Sequence, residues 1–205
     1  MPPTTLLALM LATYAIPIAF VYYKYSTTTA ARSISSIITS KEPFITFSEN
    51  APPPPSITTT FQTRHFIAAC MLTMAGFTLA YEYQRCVTQN SRWSLFAIIA
   101  LLIGIFGVIF IPEHDSTHYI FAATAFFAIV GFMVGHTYYG GDTDTADILR
   151  ILLYAQFLFM VVTVIGVIQD APIFATEVLF LLNFAVFYLY LHHTFSISTP
   201  SSSIR

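Results

Sequence analysis

One stretch constrains this chain more than any other: Pro112 to Tyr138, PEHDSTHYIFAATAFFAIVGFMVGHTY. A polar knot, Glu113-His114-Asp115-Ser116-Thr117-His118, opens directly into a long apolar run. A helix rises about 1.5 Å per residue, so about 20 apolar residues cross the roughly 30 Å of bilayer hydrocarbon. A surface helix of a soluble protein keeps one polar face, and this run has none. Five further runs share its length and character: 6–23, 65–83, 93–111, 148–168 and 173–192, beside 118–138 itself. The pattern predicts an all-α fold, a six-helix transmembrane bundle forming a single domain over 1–205.

Composition agrees. Only 9% of the 205 residues are charged, against about 25% in soluble domains, so lipid must cover most of the surface. The net charge of −2 and the lack of a basic patch argue against a nucleic-acid partner. The two cysteines, Cys70 in a span and Cys86 read as a loop residue, form no metal or disulfide pattern. No cofactor is implied.

The first run reads as a retained span. Its leader MPPTT carries no positive charge, and the run exceeds the roughly 7–15 apolar residues of a signal peptide. Pro17 is expected to kink it. Residues 24–63 form the one long loop, rich in Ser, Thr and Pro, with Pro52-Pro53-Pro54-Pro55 expected in polyproline II. Within it, Ile34 to Ile38 is apolar enough to lie on the bundle or the membrane. Phe66, Tyr81, Tyr83 and Trp93 are placed at the span ends, where aromatic rings favour the interface. Ala69, Ala75, Gly76 and Ala80, Gly104 and Gly107, and the Gly131/Gly135 pair are small residues suited to close helix contact.

Six spans put both termini on one side. Arg85, Arg92 and Arg150 flank the second and fourth loops, whereas the third and fifth hold no Lys or Arg. The positive-inside rule therefore places the N- and C-termini in the cytoplasm. Lys24, Arg32, Lys41 and Arg64 of the first loop pull the other way, but long loops translocate more readily whatever their charge. This topology gathers His65, Glu113, His114, Asp115, His118, Asp170 and Glu177 at the opposite face. Glu177 sits about one turn inside the sixth span, where a carboxylate needs a partner or a cavity. His118 is the nearest basic candidate. The two are expected to form a lipid- or proton-linked polar pair, with His65, Glu113, His114, Asp115 and Asp170 as an outer cluster around it. Histidine titrates near neutrality, so an acidic lumen would charge His118. The simpler role for the pair is to fix helix packing.

Three places resemble the FRAG/DRAM/SFK family of six-span membrane proteins, which includes damage-regulated autophagy modulators. Pro43-Phe44-Ile45-Thr46 followed by Pro52-Pro53-Pro54 is similar to the family loop P-[FY]-I-S-D-T-G-x-x-P-P. His118, Ala122 and Phe126 are similar to its H-x-x-x-A-x-x-x-F span opening. Glu177 stands where the family has a Glu, followed by an aromatic-rich half-span. Phe47 replaces the family Asp, Ser48-Glu49 its Thr-Gly, and Val178 its Trp. The resemblance implies a non-enzymatic regulator of autophagy or lipid organisation in an endomembrane, lysosomal or plasma membrane. Its partners would be membrane lipids and a further membrane protein.

Two other chemistries are worth weighing. His114 and His118 are four apart, a spacing that suits zinc on a helix face, and Asp115, His65 and Glu177 would complete a lipid hydrolase or remodelling site. However, His114 falls in the turn before the helix, which spoils the shared face. A transport path would use Gln156, Glu177 and Asn183, but Glu177 and Asn183 point about 120° apart at 100° per residue. Asn183 fits interhelical hydrogen bonding better.

Overall fold

The computed structural model describes residues 2–26, 33–35, 61–89, 92–111, 115–139 and 146–198. Among the described residues, six long α-helices stand out: α1 Pro3–Ser26, α2 Phe61–Gln89, α3 Arg92–Phe110, α4 Ser116–Tyr139, α5 Ala146–Ile168 and α6 Phe174–Ser198. All six are long and apolar enough to cross a membrane. Each packs on its neighbour in sequence, from α2 onward across short connections and between α1 and α2 despite the long loop that joins them. Aromatic rings bring α6 back onto α4: Phe126 meets Phe180 at 4.3 Å between centroids, and Phe132 stacks on Tyr188 at 5.5 Å.

Lipid tails are as apolar as leucine, so shape and polar contacts must hold such helices together. Shape does so between α3 and α4. A Cβ on Gly104 would lie 2.6 Å from the Ala125 backbone nitrogen, and one on Gly107 would lie 2.0 Å from Phe121. Only a missing side chain permits this approach. Gly135 likewise admits the Trp93 ring. Gly76 and Gly131 face open space instead and make no close contact. Polar contacts join α5 to α6 in mid-membrane. Gln156 Nε2 donates to the Phe180 carbonyl at 3.1 Å, and Asn183 Nδ2 donates to the Leu152 carbonyl at 2.9 Å and to the Gln156 side chain. These two amides clamp α5 to α6.

Helix α2 departs from expectation. It runs on to Gln89 rather than ending near Tyr83. Arg85 and Cys86 are therefore buried helical residues, not loop residues, and Tyr81 is buried rather than interfacial. Phe66 and Tyr83 remain exposed as an interface requires. Helix α1 runs through Pro17 without a break. The polyproline run lies outside the described residues.

Candidate functional site

Two polar regions occupy opposite ends of the bundle. The first is the rim formed by the starts of α4 and α6 and the end of α5. Asp115 caps α4: its Oδ1 accepts the Thr117 N–H at 2.9 Å, placing a carboxylate at the positive helix end. Three residues on, His118 is buried, and its Nδ1 donates to the Ile111 carbonyl at 2.8 Å. The histidine thus seals the end of α3 against the start of α4.

Asp170 ends α5. Its φ of 53° is left-handed, the Ala171 N–H bonds the Gly166 carbonyl at 2.9 Å, and its own N–H bonds Val167 at 3.2 Å. That pair of bonds is the Schellman arrangement, normally closed by glycine but tolerant of Asp, with Pro172 following to stop the helix. Glu177 lies in the first turn of α6, and its Oε2 accepts the backbone N–H of Ile34 at 2.6 Å. The first loop therefore touches the bundle here. Ser33 and Ser35 are buried, and Ile34 packs against the core, as the apolar Ile34–Ile38 stretch suggested.

His118, Asp170, Glu177 and Ser35 all line one cavity of about 430 Å³, to which every helix contributes. The structure thus brings three of the expected site residues to one space. Asp115 serves as a cap beside it. His65 lies near the start of α2 at the same end, but its side chain is outside the described residues, as are Glu113 and His114. Among the described residues, no three His, Cys, Asp or Glu side chains converge as a metal ion requires.

The second region was not anticipated. Glu82 and Arg85 are 0% and 1% exposed and form a forked ion pair: Arg85 Nε to Oε1 at 3.1 Å and Nη2 to Oε2 at 2.6 Å. Arg85 Nη2 also reaches Ser94 Oγ of α3 at 2.9 Å and His136 Nε2 of α4 at 3.0 Å, so its two hydrogens are shared among three acceptors. Arginine can only donate, so His136 accepts through Nε2 and carries its proton on Nδ1. Tyr188 of α6 donates to Glu82 Oε1, and Tyr81 bonds His192 Nδ1. The guanidinium lies 5.6 Å from the Phe132 ring centre, and Trp93 packs on His136 at 4.7 Å. One charge pair thus joins α2, α3, α4 and α6. A sequence signal existed: Ile67, Met71, Met74, Thr78, Glu82 and Arg85 recur every three or four residues, so the buried stripe of α2 continues straight through the charges.

Six apolar spans around an intramembrane cavity define a multi-pass helical membrane protein. Comparison with known families, curated proteins and solved structures finds no match for the chain.

Proposed function

We propose that the protein is a non-enzymatic regulator of membrane lipid organisation or autophagy, the role implied by the FRAG/DRAM/SFK resemblance. The bond from Ile34 to Glu177 carries the reading. It ties the early part of the first loop to Glu177, on the rim of the cavity that His118 also lines. Glu177 and His118 are two of the residues that bear the resemblance; the loop motif at 43–54 lies outside the described residues. The rim groups also favour recognition over bond-breaking chemistry, since Asp115 holds a helix start, Asp170 a helix end and His118 a carbonyl. In this reading the rim faces a lumen or the cell exterior, and both termini are cytoplasmic. Arg85, Arg92 and Arg150 all lie at the end of the bundle away from the rim, and the positive-inside bias rests on them. The membrane in this reading is an endomembrane, lysosomal or the plasma membrane.

The test is rescue in cells from which the gene has been deleted. Wild-type protein should restore autophagic flux or membrane lipid order. Glu177→Gln should reach the same membrane and fail to restore it. Should deletion alter neither flux nor lipid order, the reading is wrong.

A further inference from the structure

The cavity has the dimensions of half a bilayer. On α4 its wall runs from His118 to Ile129, about 16 Å at 1.5 Å per residue, against the roughly 15 Å depth of one leaflet. On α5 the wall runs from Met160 to Ile168, and on α6 it ends at Leu181. The other half of the bundle is filled by buried Phe132, Phe184 and Phe187. None of these three side chains lines the cavity, whose described walls stop at Ile129 on α4 and Leu181 on α6.

Its polarity is graded in the same direction. Ser35, His118, Asp170 and Glu177 stand at the rim. Besides these four, the polar residues among the described lining are Tyr119, Tyr14 and Thr163. The Thr163 hydroxyl is satisfied within its own helix, by the Phe159 carbonyl at 2.8 Å. Tyr119 is half exposed near the rim, so Tyr14 is the one hydroxyl set deep among hydrocarbon walls.

The space also reaches the lipid. Phe127 of α4 and Val164 of α5 both line it, yet are 67% and 51% exposed on the outer surface of the bundle. Ala122 and Ala123 leave room between these helices, where larger side chains would close the wall. A volume of about 430 Å³ lies within the roughly 300–1,000 Å³ of sites that hold small molecules.

We infer that this cavity holds one acyl chain of a membrane lipid. The chain enters sideways between α4 and α5 from the rim-side leaflet, and the headgroup stays at the rim. Depth, graded polarity and lateral opening each match a lipid standing in its own leaflet. The inference rests on the regulator reading only in naming what the site would sense.

The full-length protein is reconstituted in phosphatidylcholine vesicles containing phosphatidylcholine with a diazirine on its palmitoyl chain, irradiated and mapped by peptide mass spectrometry. Leu101, Ala125 and Phe180 line the cavity and are buried from surrounding lipid. Adducts on these three are the expected result. Adducts confined to lipid-facing residues such as Leu158 and Val186 would overturn the proposal. Ala122→Phe should lower the buried-residue adducts roughly tenfold, since an overfilled site has no slack, whereas Val186→Phe on the outer surface should not. If Ala122→Phe folds and leaves these adducts unchanged, the site is also refuted. If it does not fold, the wild-type map decides. The labelling needs no cellular activity, so its failure would leave the rescue result standing, and failed rescue would leave the adduct map standing.

Discussion

Replacing Glu82 with Ala is the sharpest perturbation of the fold. The carboxylate accepts two hydrogen bonds from Arg85 and one from Tyr188. Its loss takes the forked carboxylate contact from a guanidinium that is 1% exposed. Each charge-assisted bond is worth about 1.5–3 kcal/mol, and breaking a buried pair on one side costs about 3–5 kcal/mol. We therefore expect Glu82→Ala to lose about 3–4 kcal/mol. Removing both charges, as Glu82→Met with Arg85→Met, should cost far less than the single change, because no charge is then stranded in hydrocarbon. Glu82→Gln keeps an acceptor for Tyr188 and should fall between. The assay is equilibrium unfolding of the full-length protein in mixed micelles, with the folded fraction followed against the mole fraction of denaturing detergent. If Glu82→Ala stays within about 1 kcal/mol of wild type, or if the double variant is the less stable, the pair is not desolvated as its burial requires.

Two further outcomes follow from backbone geometry. Gly104→Ala drives a methyl into the α4 backbone and should cost about 1–3 kcal/mol, whereas Gly131→Ala, which meets open space, should be neutral or gain about 0.5–1 kcal/mol; the same unfolding assay separates them. Asp170→Gly should stabilise the α5 terminus by up to about 1 kcal/mol because glycine adopts the left-handed φ without strain, and Asp170→Val should do the reverse, both read as shifts in melting temperature.

The spans were legible because twenty-residue apolar runs have few other uses, and the chain alternates them with short polar turns. The end of α2 was legible only as the three- and four-residue spacing that carries its stripe on through Glu82 and Arg85. Glu82 and Arg85 resemble the polar edge of a span when read along the chain, but their partners Ser94, His136 and Tyr188 come from three other helices. The rim was half legible. Topology alone placed His118, Asp170 and Glu177 at one end, and they do line one cavity. What holds them was hidden, since the Ile111 carbonyl, the Ile34 N–H and a left-handed backbone turn leave no mark on side-chain patterns. His118 and Glu177, expected as a pair, line the same cavity from α4 and α6, and each bonds a backbone group, the Ile111 carbonyl and the Ile34 N–H.

The uneven packing of the two ends follows from the solvent. In water, leaving about 430 Å³ unfilled would cost on the order of 10 kcal/mol at about 24 cal/mol per Å³, comparable to a whole domain's stability, and the walls would collapse or the fold would be lost. In a bilayer, a space open to the side need not stay empty, because the surrounding tails match its walls. Such a bundle still needs something to stop its helices sliding together, since lipid supplies no force that fixes their register. The ion pair at one end and the Gln156–Asn183 clamp at mid-depth do that for α2, α3, α4, α5 and α6. With register fixed there, the rim half is relieved of the need for close packing, and a chain-sized space can persist where the headgroups are.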